Sequence, residues 1–486
     1  MQTSTLVLGG VGVYVLIILA IGVYAGRRVG DSTDYIVAGR NVSLGLLVFT
    51  LFATFYGGGT IMGVAGAAYD DGVLGVIADP FGAALCLFLG GFFFFRVMRR
   101  MRLLTVADFF RIRYGKTAEM LAGLCMIPPY LGWVSSQFVA VGFILHTLTG
   151  LDTTLGMVLG AIVVIIYTVI GGLWAVALTD FIQALVLMIG LALLCFVVVA
   201  DAGGLSSIAA RLPQGHLSFF PDGGLNDWLW YIQAWVVIGL GGLPAQDLIQ
   251  RAVSARSEGT AVASAYISGI MYVGFGLIPV TLGLAALVTL PDVANSEFVV
   301  PTLAMDHLPP LALALVLGAL VSGIMSSADS ALLAPASVIG ENLARIAKSD
   351  LEPQQVLAIS RWAVVALGVL SLLAALYFQR IYDIMVGAWA VLLVSLFVPL
   401  VAGIYWQRAN ATSAVAAIAS GLISWLVLSL VQETWPADLL ATVIAAITLV
   451  IVANVTAHRD SPCRLVTLEG DPVDERQRLG WPGFKT

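Results

Sequence analysis

Residues 51–69 read LFATFYGGGTIMGVAGAAY, an apolar stretch long enough to cross a bilayer, with Gly57, Gly58 and Gly59 in succession near its centre. Three glycines cost a helix about 3 kcal/mol relative to alanine. Backbone groups in lipid must be bonded internally, so a helix that breaks in mid-membrane is tolerated only where protein or a cavity receives the freed N–H and C=O groups. The stretch therefore predicts a discontinuous transmembrane helix, and such a helix marks a candidate binding site. A second stretch, WVVIGLGGLPAQDLIQR at residues 235–251, combines Gly239, Gly241, Gly242 and Pro244 in the same way. Small residues also serve close helix packing, but the density of both clusters and the proline in the second favour breaks.

Outward from these stretches the composition fixes the class. The chain has 486 residues, 60% of them hydrophobic and only 11% charged, with a mean hydropathy of +0.98. A soluble domain carries about 25% charged residues because its surface faces water, so most of this surface faces lipid. Thirteen apolar segments follow one another: residues 6–25, 44–67, 73–97, 119–147, 153–172, 180–200, 227–249, 262–290, 311–338, 356–377, 382–406, 411–431 and 438–457. A barrel strand needs only about 9–11 residues in alternating pattern, whereas these runs are about 20 or longer without alternation, which predicts helices. The expected fold is an all-α polytopic membrane protein of 13 transmembrane helices. Residues 1–457 form one transmembrane domain, and 458–486 a cytoplasmic tail.

Sidedness follows from the basic residues, because short cytoplasmic loops retain Lys and Arg. Twenty-one of the 23 fall on one side of this arrangement, and only Arg211 and Arg380 on the other. The N-terminus is expected outside and the C-terminus inside a cell membrane, plasma or bacterial inner, crossed many times. The N-terminal run lacks preceding basic residues and is read as a span, not a cleaved leader. Asn41, Asn410 and Asn454 head glycosylation sequons at or near cytoplasmic ends and are read as incidental. The net charge of −6 gives no reason to expect nucleic acid. The four cysteines are dispersed and outline no disulfide framework or metal site, the four histidines stand singly, and no phosphate loop, zinc spacing or nucleophile elbow is present. The chain is expected not to be an enzyme but a secondary transporter or channel, with its oligomeric state open.

The two interrupted segments are the second and the seventh, five apart. If segments two to six (43–200) and seven to eleven (227–406) are equivalent halves, an odd number of spans in each forces inverted topology, with binding at mid-membrane between the two breaks. Ionisable and hydroxyl side chains inside apolar runs are the second clue. The ninth segment contains GIMSSADSALLAPAS (323–337), in which Ser326, Ser327, Asp329 and Ser330 crowd within two turns. Ser326 lies three and four residues from Asp329 and Ser330, so these oxygens share a helix face. Hydroxyl, carboxylate and freed carbonyl oxygens are the hard ligands a desolvated alkali cation needs. Asp180, in LWAVALTDFIQ (173–183), is expected at the start of the sixth segment, where a helix dipole would favour it.

At these residues the chain resembles the sodium:solute symporter family: DYIVAGRNVSLG (34–45), GGLWAVALTDFIQ (171–183), GGLPAQDLIQR (241–251) and SSADSALLAPASVIGENL (326–343) carry the likeness over nearly its whole length. The resemblance implies a LeuT-like five-plus-five inverted repeat with one extra N-terminal helix and two C-terminal ones. It further implies Na+ as the co-transported ion, held by carbonyls of Ala53, Tyr56 and Gly323 and hydroxyls of Ser326 and Ser327. A possible second sodium site falls on Asp180, Ser326, Asp329 and Ser330, with an acid at Asp329 where several members have serine. The motifs look most like the branch of high-affinity choline transporters. A choline cage is built of ring faces, and this chain keeps Trp133 of it, has Phe55 for a second ring and Ala245 for a third, so choline is not assigned.

The solute pocket is expected on the faces nearest the breaks: Phe55, Tyr56, Gly58, Thr60, Trp133, Gln137, Trp235 and Gln246. No buried Lys or Arg is expected among the spans, and Arg251 is expected to pair with Asp247, four residues earlier. The reading is sodium-driven import of a small polar organic solute by alternating access. A proton-coupled transporter of the same fold, with Asp329 or Asp180 as carrier, is the alternative. A passive channel lacks a continuous polar path, and a solute sensor would need more than the short tail.

Overall fold

A computed structural model of the protein describes residues 20–21, 24, 26–27, 29–377, 381–431, 434–457, 465–474 and 478–480. Most of the expected first span and much of the tail lie outside the described residues. The twelve other apolar segments all coincide with helices. Among the described residues nine helices are long and apolar enough to cross a membrane, and Leu44–Phe55 is a shorter apolar one.

Thr153–Asp201 forms one helical run of 49 residues. At ~1.5 Å per residue it would be more than twice the ~30 Å thickness of a hydrocarbon core. It is interrupted at Gly172, whose φ of 54° and ψ of −157° are non-helical. A Cβ there would stand 2.7 Å from the Tyr35 carbonyl oxygen, so only glycine satisfies both the dihedral and the contact. The seven-residue link expected between the fifth and sixth segments is thus a single-residue break. Asp180, expected at a helix N-terminus, instead lies about two turns inside a helix and is fully buried.

The helix Pro310–Val338 occupies the centre, packed along Thr153–Asp201 and Lys116–Thr149. Residues 319–338 are all buried, so its serine run faces protein and not lipid. Outer helices show the reverse pattern. Ile182, Val186, Ile189, Leu193 and Phe196 are exposed at spacings of three and four, as are Val443, Ile447, Val450, Ile451 and Val455. Each set is one apolar helix face, suited to lipid.

One end of the bundle is tied by a short helix the hydropathy pattern did not announce, Val106–Tyr114. Thr105 and Asp108 cap its start reciprocally. Asn342, beyond the central helix, donates to Asp108 Oδ1 at 2.9 Å and Glu119 Oε1 at 2.8 Å, and accepts from Thr105 Oγ1 at 2.6 Å. The end of the central helix is thereby fastened to the start of Val106–Tyr114 and to Glu119 in the first turn of Lys116–Thr149.

Candidate functional site

The expected break is present. Helix Leu44–Phe55 stops at Tyr56, with φ −86° and ψ 71°, and helix resumes at Gly58. Side chains take up the freed backbone groups, as burial requires. The Gly58 amide donates to Gln137 Oε1 at 2.7 Å, and the Thr60 and Tyr272 hydroxyls lie 3.1 and 3.3 Å from the Phe55 carbonyl. A Cβ on Gly57 would stand 2.6 Å from both Gln137 Oε1 and Ser327 Cβ, so glycine is what lets the break touch the central helix. The second break is also present, as non-helical backbone between Leu225–Gly239 and Gln246–Ser254.

Against the first break lies the serine run. Ser327 Oγ donates to the Ala53 carbonyl at 2.8 Å. One turn before it, Gly323 packs on Leu187. Ser326 donates to one oxygen of Asp180, and Thr50, a residue the sequence did not single out, donates to the other. All of these side chains are buried. The Ala53 carbonyl, the hydroxyls of Thr50, Ser326 and Ser327 and the Asp180 carboxylate are thus linked by hydrogen bonds, and oxygens of these kinds are the ones a small hard cation prefers.

The other expected sodium ligands have a neighbour that was not foreseen. Ser330 donates to Asp329 Oδ1 at 3.2 Å, and Arg251 Nη2 donates to Ser330 Oγ at 2.6 Å. Arg251 is fully buried, contrary to the expectation of no buried basic residue. It does not pair with the Asp247 carboxylate, which accepts from the Tyr130 hydroxyl; it reaches only the Asp247 carbonyl, at 3.4 Å. The reason is that all nine residues of Gln246–Ser254 are buried in the bundle, so the guanidinium has protein on every side and turns toward the central helix.

Of the expected solute residues, six gather at the first break. Phe55 and Trp133 face each other at 6.2 Å between ring centroids. Trp389 closes the group, stacked on Phe55 at 5.5 Å and 5.0 Å from Trp133. Gln137 and Gly58 bond as described, and Tyr56 stacks on Phe52 while its hydroxyl donates to the Phe275 carbonyl at 2.7 Å. Thr60 faces Asp79 and Tyr272, neither of which was singled out: its hydroxyl lies 2.5 Å from Asp79 Oδ2 and 2.8 Å from the Tyr272 oxygen.

Two expected residues stand apart from this group. Trp235 packs with Phe81, Phe219 and Tyr231, and Gln246 accepts from the Val106 amide at 2.7 Å. The second break spans Leu240–Ala245, so Trp235 lies more than a turn before it and Gln246 opens the helix after it. Beyond the first break, a cavity of about 480 Å³ is lined, among the described residues, by Gly63, Gly66, Asp70, Asp71, Glu297, Tyr382 and Asp383 with others.

The model of the sodium:solute symporter family matches residues 35–421. High-affinity choline transporter 1 of Caenorhabditis elegans is 29% identical over 451 residues, covering 85% of this chain and 76% of its own length. The sodium/pantothenate symporter of Escherichia coli is 30% identical over 434 residues, covering 86% of this chain and 89% of its own. The fold is similar to that of a Na+-coupled sialic acid symporter solved in a substrate-bound, outward-open state. The TM-score is 0.81 at 22% identity, over 95% of this chain and 99% of that one.

Proposed function

Because the chain belongs to the sodium:solute symporter family and takes Na+ as its co-transported ion, we propose that the broken helix at Tyr56–Gly58 and the serine run of Pro310–Val338 form the coupling site. One contact carries this reading: the Ser327 hydroxyl on the Ala53 carbonyl at 2.8 Å. An ion entering there exchanges one hydrogen bond for ligation by both oxygens. Ser326 and the carbonyls of Tyr56 and Gly323 complete the shell.

Na+ would then fasten the broken helix to the central one and hold the solute site next to it, with Phe55, Thr60, Trp133 and Gln137 as its walls. Solute entry is favoured by whatever free energy separates the ion-bound arrangement from the ion-free one. Arg251 on Ser330 supports a cycle with one sodium ion, since a fixed guanidinium already holds one hydroxyl of the second group of oxygens and supplies one positive charge beside its acids. A tenfold sodium gradient is worth about 1.4 kcal/mol and 100 mV about 2.3 kcal/mol per charge. One ion thus drives a few-hundred-fold accumulation of a neutral solute, by order of magnitude.

The finer architecture belongs to the same proposal. Thirteen spans, two five-helix halves of opposite topology (43–200 and 227–406), an outer N-terminus and an inner tail fit the two breaks, five segments apart, and the placement of basic residues on one side. The test is uptake into proteoliposomes with Na+ replaced by K+. Accumulation that survives the replacement would remove sodium coupling from the account.

A further inference from the structure

Asp79 is a fully buried carboxylate in a run that otherwise reads as apolar, GVIADPFGAAL at residues 75–85. Its partners are two hydroxyls: Thr60 Oγ1 at 2.5 Å from Oδ2, and the Tyr272 hydroxyl, donating to Oδ1 at 2.9 Å. No ion pair satisfies it among the described residues. An ionised carboxylate offers about four acceptor positions, and each hydroxyl has one proton. The cluster is short of donors, and the shortage sits beside the broken helix, since Thr60 and Tyr272 both also reach the Phe55 carbonyl.

Ring faces stand on the same spot. Phe55 is edge-on to Tyr272 at 6.4 Å and stacks on Trp389, which with Trp133 completes three sides of an aromatic group. Aromatic faces attract cations, and a carboxylate short of donors attracts N–H. A cavity whose described lining includes Asp70 and Asp71 begins at Gly63, one helical turn from Thr60.

We propose that Asp79, with Thr60 and Tyr272, anchors an ammonium group of the solute through its N–H bonds, so that the transported molecule is a small protonated primary or secondary amine. This rests on the solute site lying at the first break. A sodium ion would accept the same oxygens but has no use for the rings. A quaternary ammonium would use the rings but leave the carboxylate without donors. A carboxylate solute would meet Asp79 as a like charge.

The test measures sodium-dependent thermal stabilisation and proteoliposome uptake of the full chain with a panel at fixed pH: ethanolamine, N-methylethanolamine, putrescine, benzylamine, choline, glucose, propionate and pantothenate. The expected result is a response to amines bearing N–H, falling at least tenfold from ethanolamine to choline. In Asp79→Asn the amine half-saturation rises tenfold or more while stabilisation by Na+ alone persists; Asp79→Glu restores part of the affinity. The inference is overturned if choline, a neutral solute or a carboxylate is preferred. It is equally overturned if Asp79→Asn leaves amine affinity unchanged, or shifts the half-saturation for Na+ instead. Silence of the whole panel while Na+ still stabilises also counts against the amine class and leaves the sodium site standing, whereas absence of any response to Na+ would sink the coupling proposal itself. Should Asp79→Asn fail to fold, the wild-type ranking alone decides.

Discussion

Replacing Gly57 with alanine inserts one methyl group between the broken helix and the serine run. The new Cβ would lie 2.6 Å from both Gln137 Oε1 and Ser327 Cβ, about 0.8 Å short of the 3.4 Å at which ordinary contact begins. Neither neighbour can yield cheaply: Gln137 holds the Gly58 amide, and Ser327 holds the Ala53 carbonyl. Overpacking of this kind costs about 1–3 kcal/mol. If the strain is relieved by parting the two helices, the same energy is withdrawn from ion binding, a rise in sodium half-saturation of roughly 5- to 150-fold. Gly45 provides the control, because it lies in the helix that leads into the break with nothing within 4 Å of its would-be Cβ. The assay is the melting temperature of purified protein titrated with NaCl at constant ionic strength in KCl. Gly45→Ala should follow the wild type, and Gly57→Ala should need far more Na+ for the same stabilisation. Equal sodium midpoints for Gly57→Ala and wild type would refute the placement of the ion at this contact.

Trp389→Ala removes a ring stacked on Phe55 and should raise the solute half-saturation about 2- to 30-fold while shifting that of Na+ less; uptake titrated in each ligand separates the two. Arg251→Gln frees Ser330 from the guanidinium and should raise the sodium Hill coefficient of uptake from near one toward two, and a coefficient that stays at one would deny Arg251 its role as resident charge. Asn342→Ala leaves Asp108, Glu119 and Thr105 each short of a buried partner. A loss of about 2–4 kcal/mol is expected, read as a lower melting temperature both with and without Na+.

Most of the fold was legible because lipid imposes a length and an apolarity that few residues can violate. Both breaks were legible for the related reason that glycine clusters and a proline have no cheap place in a continuous span. The link at Gly172 was not, since a break of one residue leaves the apolar run nearly unmarked. Asp79 escaped notice because a single acid near the start of an apolar run reads as an interfacial residue, and only the contacts with Thr60 and Tyr272 reveal it as buried. Trp389 lies more than 250 residues from Trp133, and nothing local pairs them. Arg251 was read as a partner of Asp247 because hydropathy averages could not tell that the helix after the second break stays inside the bundle. Trp235 and Gln246 were placed by their distance from the glycines. The extent of the non-helical stretch, Leu240–Ala245, decided otherwise.

Whether a sodium ion sits between the broken helix and the serine run is decided most directly by binding of radioactive Na+ to the purified protein. Saturable binding displaced by Na+ and not by K+ is expected in the wild type. In Ser326→Ala/Ser327→Ala it should weaken at least tenfold, with melting in KCl unchanged. The same affinity in the double variant as in the wild type would contradict it.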